Sequence, residues 1–128
     1  MERFLIDTNC ISDYLSASFP LKGMNFMDAV IDAVPNISVI SQIEILCWNT
    51  PDTHKIEGVK RFIADSCIFE ITPDVIVQCV KIRKGKKIKT PDAIIAATAL
   101  SLGYTLISRN EIDFKNIPGL KVVNPYTL

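Results

Sequence analysis

The sequence predicts an α/β domain with a mostly parallel central sheet that helices cover on both faces. Short apolar segments, each typical of a buried strand, alternate with segments of helical periodicity along the chain. Of the 128 residues, 48% are hydrophobic and 22% charged, which provides one sizeable core and argues against disorder. The sequence has no repeat, low-complexity tract or linker, so residues 1–128 are predicted to form a single domain.

Helix and strand signals place the elements of the first half. Pro35 breaks the second helix. Ser41 and Glu44 have the spacing of a capping box, which predicts that the third helix begins at Ser41. The predicted order is a strand at 3–7, a helix from about 9 to 15, a helix at 24–34, and a strand at 37–41 that leads into the third helix.

In the second half, two helices are predicted to open with a threonine cap followed by proline, at Thr72-Pro73 and at Thr90-Pro91. Gly103 supplies the stop signal for the second of them. The other predicted elements are an amphipathic helix at 54–65 and strands at 67–71, 105–108 and 121–124.

Bulk charge says little about partners, because basic and acidic residues balance at fourteen each. Six of the basic residues nevertheless fall within residues 81–89, which makes a local basic site in a neutral protein. No apolar run is long enough to span a bilayer and the N-terminus lacks a signal-peptide core, so we expect a soluble, cytoplasmic protein without a membrane partner. The four cysteines lack the paired spacing of a zinc site, and the chain has only one histidine. The sequence therefore argues against a zinc site and against Ser-His-Asp catalysis.

Several polar side chains follow predicted strand ends or open the helices that begin there. Because the carboxyl ends of parallel strands meet at one edge of a sheet, we expect these side chains to lie together at the edge where α/β proteins bind ligands. They are Asp7, Glu44, Asp92, Asn110 and Asp113.

Each acid also has a purely structural explanation. Asp7 fits a helix N-cap, and Glu44 would complete the capping box with Ser41. Asp92 would complement a helix dipole, for about 0.3–1 kcal/mol, and Asp113 fits an ordinary loop. Taken together these explanations are weaker, because carboxylates crowded into one crevice repel each other and raise each other's pKa.

A hard divalent cation removes that conflict. A set of oxygen ligands without histidine or cysteine suits Mg²⁺ or Mn²⁺. Such an ion can polarise a phosphodiester and steady the leaving oxygen, while the basic residues of 81–89 hold the phosphate backbone. The sequence therefore favours metal-assisted chemistry on a phosphodiester.

Three blocks of sequence, in order, resemble those of PIN-domain ribonucleases, and specifically the VapC toxins of toxin–antitoxin pairs. They are "FLIDTNCISDYL", "ISVISQIEIL" and "TPDAIIAATALSLGYTLISRNEIDFKNIPGLKVVNP". The resemblance implies a PIN-like three-layer fold and a Mg²⁺- or Mn²⁺-dependent endoribonuclease that cleaves RNA. It also implies a homodimer, and inhibition by a small antitoxin protein that obstructs the acidic groove.

The resemblance assigns Asp7, Glu44 and Asp92 to the metal site, with Asp113 as the fourth carboxylate. Asn110 stands where many relatives have an acid, and is expected to be a neutral ligand or a substrate contact. Thr8 is expected to orient the neighbouring Asp7 from behind, and Ser108 to act in a similar way, although a serine at a strand end explains Ser108 as well. Candidates for phosphate contacts, each with a solvated surface as the alternative, are Lys84, Lys86, Lys87, Lys89 and Arg109.

Two other function classes stay open. A phosphatase with an aspartyl nucleophile usually shows two acids flanking a residue after the first strand, and "DTN" offers only Asp7. A non-catalytic PIN-like module that binds RNA or protein is favoured by Asn110 in place of an acid. Cleavage products distinguish the nuclease from this module.

Overall fold

The computed structural model describes residues 2–128, and within them all strands pair in parallel. The strands are β1 (Phe4–Ile6), β2 (Asn36–Ser38), β3 (Cys67–Phe69), β4 (Thr105–Ile107) and β5 (Val122–Val123). One sheet has the order β1-β4-β5, and β2 pairs with β3. The Asn36 side-chain amide donates to the Phe4 carbonyl at 3.0 Å, which ties β2 to the free side of β1. The predicted mostly parallel sheet is confirmed.

Helices connect these strands and cover them. They are α1 (Thr8–Leu15), α2 (Leu21–Asp32), α3 (Val39–Leu46), α4 (Thr53–Asp65), α5 (Pro73–Gly85), α6 (Thr90–Leu102) and the short α7 (Glu111–Phe114), followed by a C-terminal 3-10 turn, Pro125–Thr127. None of the helices in residues 2–128 is both long and apolar enough to cross a membrane.

Alternate residues of the strands belong to two separate hydrophobic cores. Leu5 and Leu106 point to the face covered by α5 and α6, and Ile6 and Ile107 point to the face covered by α1 to α4; all four are fully buried. Because successive strand side chains point to opposite faces, three-residue strands suffice to anchor both layers. The predicted three-layer α/β arrangement is confirmed.

Helix α6 is buried on most of its surface, and its small side chains allow close packing against α5. Its fully buried residues include Ala93, Ile95, Ala96, Ala97 and Ala99. The helix ends at Gly103, which adopts the left-handed conformation at φ 71° as predicted.

Two predicted helix N-caps, Ser41 and Thr90, are wrong, and α2 begins at Leu21 rather than at residue 24. The strand before α3 ends at Ser38, whose side chain accepts from the Ile40 N–H at 3.0 Å, so Ser38 caps the helix and Ser41 lies buried inside it. Helix α6 begins at Thr90 itself, with Lys89 in the cap position and no side-chain cap bond. The Thr72 cap of α5 is confirmed, because its side chain accepts from the Val75 N–H.

Candidate active site

Asp7 lies at the carboxyl end of β1 and is only 4% exposed. It is the N-cap of α1, and its Oδ1 accepts from the Thr8 N–H at 2.8 Å. Its Oδ2 accepts from the Ser108 hydroxyl at 2.7 Å and from the Asn9 side-chain amide at 3.1 Å. Burial raises the pKa of Asp7 to about 6 despite these hydrogen bonds, and the charges of Asp92 and Glu44 add to the rise.

Ser108 and Asn9 form a polar frame behind Asp7. The Ser108 hydroxyl donates to Asp7 and accepts from the Asn110 N–H at 2.9 Å, so it joins the end of β1 to the loop after β4. The Asn9 side-chain oxygen Oδ1 accepts from the Arg109 N–H at 3.4 Å, which makes a second link between the same segments. The sequence prediction omitted Asn9, although it stands within the same "DTN" block.

Glu44, on the exposed side of α3, is connected to α1 by a chain of hydroxyls. Thr8 Oγ1 lies 2.6 Å from Glu44 Oε1 and 2.9 Å from Ser41 Oγ. A hydroxyl has one proton and an ionised carboxylate can only accept, so Thr8 donates to Glu44 and Ser41 donates to Thr8. The Thr8 hydroxyl therefore orients the second acid, Glu44, and Thr8 contacts the neighbouring Asp7 only through its backbone N–H.

Asp92 stands in the first turn of α6, half-buried, at the same edge of the sheet. Burial raises its pKa, and the charges of Asp113 and Glu44 raise it further, while Lys89 opposes the rise. The charge of Glu44 contributes to the raised pKa of both Asp7 and Asp92, so the acids from β1, α3 and α6 lie within electrostatic range of one another.

Asp113 lies in the short helix α7, Asn110 is the N-cap of that helix, and the two residues are hydrogen-bonded to each other. The Asn110 side-chain oxygen Oδ1 caps the helix by accepting from the Asp113 N–H at 3.3 Å, and the NH₂ of the same side chain donates to Asp113 Oδ2 at 2.8 Å. An aspartate at position 110 would instead face the Asp113 carboxylate with a like charge. The geometry therefore gives Asn110 the role of fixing Asp113.

The five basic side chains differ in their availability. Lys84, Lys87 and Lys89 are exposed. Arg109 follows Ser108 and is half exposed, although its Nε pairs with Asp13 Oδ2 at 3.1 Å. Lys86 is half-buried and its ammonium donates to backbone carbonyls, so it is less available than the other four, and its phosphate contact stays a prediction.

The donor set fits a hard divalent cation in its chemistry. The Arg109–Asp13 pair is the only ion pair within residues 2–128, so none of the acids at this edge has a basic partner. No group of three or more acidic, histidine or cysteine side chains in those residues has the geometry of a ready-made metal cage. Mg²⁺ commonly keeps several waters and binds through one or two carboxylates, so it does not require such a cage.

Comparison with known proteins identifies the fold. Residues 4–120 match the family model of the PIN domain. A chain from a toxin–antitoxin complex of Klebsiella pneumoniae is 33% identical, with 95% of this chain and 97% of that chain covered at a TM-score of 0.73. A search of curated protein sequences gave no match.

More distant solved structures are similar over almost the whole chain. A chain of DNA-bound VapBC from Salmonella typhimurium is 23% identical, covers 98% of this chain and 99% of its own, and has a TM-score of 0.77. A chain of VapBC2 from Rickettsia felis bound to a promoter fragment is 21% identical, covers 94% and 97%, and has a TM-score of 0.76. At these identities the similarity is one of fold.

Proposed function

The chain belongs to the PIN domain family, and on this basis we propose that it is a metal-dependent endoribonuclease, the toxin of a VapC-type toxin–antitoxin pair. The observation that carries the proposal is a set of acids at the carboxyl edge that has no basic partner within residues 2–128. The acids are Asp7, Glu44, Asp92 and Asp113. A divalent cation is the simplest means of offsetting their repulsion.

These four acids would hold Mg²⁺ or Mn²⁺ directly or through its bound waters, with Asn110 orienting Asp113. When bound, the ion supplies charge that polarises the phosphodiester and stabilises the leaving oxygen. The protein contributes fixed geometry, because Ser108 and Asn9 orient Asp7 while Thr8 orients Glu44.

Phosphate contacts are proposed for the exposed basic side chains beside the site. Lys89 immediately precedes α6, whose first turn carries Asp92, and Arg109 follows Ser108. Arg109 has guanidinium donors beyond the Nε that meets Asp13, so it can bind a phosphate without leaving its partner. Lys84 and Lys87 extend this basic surface along the end of α5.

An antitoxin protein and a second copy of the chain are the proposed partners. The 33% identical chain comes from a toxin–antitoxin complex, which supports the first. Exposed aliphatic residues supply apolar area for association: Ile43 and Leu46 on α3 beside Glu44, and Ile76, Val77 and Val80 on α5. Light scattering coupled to gel filtration tests the homodimer.

The direct test of function is incubation of purified protein with end-labelled tRNA, rRNA fragments and mRNA, in Mg²⁺, Mn²⁺ or EDTA. We expect discrete products with either ion and none with EDTA. The Asp92→Asn variant is the matched control, since it removes one charge without changing the size of the side chain.

A non-catalytic PIN-like binding module remains the second candidate. The observation in its favour is that no three acids within residues 2–128 form a ready-made metal cage. Metal-stimulated RNA binding without products, from a folded protein across all three RNA classes, would establish this function instead.

A further inference from the structure

Lys86 lies just beyond the C-terminus of α5 and contacts the backbone of α7, the short helix that contains Asp113. Its Nζ donates to the carbonyl oxygens of Ile112, Asp113 and Lys115 at 3.3, 2.6 and 2.9 Å. An ammonium has three N–H donors, so each finds a backbone acceptor. Its own backbone N–H donates to the Ile82 carbonyl at 3.0 Å, which fixes Lys86 to the last turn of α5.

Helix α7 needs such support because it has only four residues. A helix of this length is unstable by itself, and its last carbonyls lack partners within the helix. Asn110 caps its N-terminus, and the Lys86 ammonium occupies its C-terminal end, where a cation is favoured. Phe114 is buried beneath the helix, but Ile112 on the outer side is 84% exposed and gives little packing.

We propose that Lys86 is a positioning residue: its ammonium clamps α7 to the end of α5 and thereby sets the place of Asp113 in the acidic site. The proposal rests on the metal site proposed above. It also gives the basic segment before α6 a second task, since one lysine of that segment orders the site while its neighbours stay exposed. In this role Lys86 touches neither the substrate nor the ion.

Charge and geometry predict opposite effects for Lys86→Met. If only charge mattered, the loss of a cation near an acidic site would strengthen the binding of a divalent cation. If Lys86 positions Asp113, its loss should weaken binding, by about 10- to 100-fold as is typical for residues that support metal ligands. The sign of the change therefore separates the two roles.

The experiment measures Mn²⁺ affinity by calorimetry and amide exchange over residues 111–115, in the unmodified protein and its variants. Lys81→Met is the control for charge, because Lys81 is an exposed residue of the same helix. We expect Lys86→Met to weaken Mn²⁺ binding and speed exchange at 111–115, Lys86→Arg to restore part of both, and Lys81→Met to change neither. In an Asp113→Asn background, Lys86→Met should cause no further loss of affinity.

Equal or tighter Mn²⁺ binding by Lys86→Met, or the same loss in the Asp113→Asn background, would overturn the positioning role while leaving the metal site intact. If the unmodified protein binds no Mn²⁺, the metal site is wrong and the proposal fails with it. Amide exchange separates these failures from loss of the fold, because a general loss of protection extends to α6 and β4, whereas release of α7 is confined to 111–115.

Discussion

The two edges of the central sheet both carry charged residues, but they differ in how those charges are satisfied. At the amino edge, the Thr105 hydroxyl donates to Glu2 at 2.7 Å, and Arg3 donates to the Tyr104 hydroxyl at 3.3 Å. Opposite charges are mixed there around an open cavity of about 890 Å³. At the carboxyl edge the acids gather and none of them forms an ion pair among residues 2–128.

The cavity at the amino edge is therefore not the site that we propose. An edge that mixes opposite charges has little repulsion for a ligand to offset, whereas at the carboxyl edge burial and neighbouring carboxylates together raise the pKa values of Asp7 and Asp92. This contrast makes matched variants possible. Removal of a negative charge at the amino edge should leave RNA cleavage unchanged, whereas the same change at the carboxyl edge should reduce it.

The largest expected effect is on RNA cleavage by Asp92→Asn. Loss of a ligand that fixes the ion should cost about 4 kcal/mol of transition-state stabilisation, or about 1,000-fold in rate. Glu2→Gln at the amino edge should stay within about twofold of the unmodified protein. Rates measured on one labelled RNA, with circular dichroism to confirm folding, make the comparison, and equal losses in both variants would remove the distinction between the edges.

The pH dependence of stability should show the cost of burying Asp7. The pKa of Asp7 is about 6 in the folded protein, above its ordinary value of 3.8. The free energy of unfolding of the metal-free protein should therefore increase as the pH falls through 6 and decrease as the pH rises through 6. The change is about 3 kcal/mol at most. Asp7→Asn should flatten this part of the profile and leave the fold as stable or more stable at pH 7.5. Urea unfolding in EDTA from pH 4.5 to 7.5 measures it. If the stability of Asp7→Asn depends on pH as that of the unmodified protein does, burial does not raise the pKa of Asp7.

A smaller effect is expected where a hydroxyl orients an acid. Thr8→Val keeps the shape of the side chain but removes the bond to Glu44, and should weaken Mn²⁺ binding by about 10- to 100-fold. Thr8→Ser should bind nearly as the unmodified protein does. Thr105→Val at the amino edge removes a similar bond, to Glu2, and serves as control. Equal affinities for all three variants would show that Thr8 has no part in holding Glu44.

The smallest effect belongs to Asn110→Ala, which removes the cap of α7 and the bond to Asp113. We expect the free energy of unfolding to fall by about 1 kcal/mol, as for other lost caps, with cleavage reduced yet still dependent on metal. Complete loss of cleavage from a folded variant would instead make Asn110 a ligand. Thermal unfolding and the labelled-RNA assay together distinguish these outcomes.

Much of this arrangement follows from the sequence, because acids placed after parallel strands must meet at one edge. Position alone therefore predicted where Asp7 and Asp92 lie, whereas the partners of Thr8 depend on how α1 packs against α3. The predicted start of α3 was wrong because serine is a favourable helix N-cap and both Ser38 and Ser41 are available for that position. The burial of Ser41 within the helix depends on tertiary packing, which the sequence does not show.

The role of Lys86 illustrates a different limit. Within a run of basic residues nothing distinguishes it from its neighbours, and its carbonyl partners lie 26 to 29 residues further along the chain. Only the fold reveals that it is half-buried. The single domain and the cytoplasmic location expected from the sequence stay predictions.

The most direct test of the central claim, that unpaired acids at the carboxyl edge form a divalent-cation site, is calorimetric titration of Mn²⁺ into the metal-free protein at pH 7.5. We predict saturable binding by the unmodified protein and by Glu2→Gln, and its loss in Asp92→Asn. Binding that survives Asp92→Asn unchanged, or that disappears in Glu2→Gln, would place the ion elsewhere and contradict the assignment.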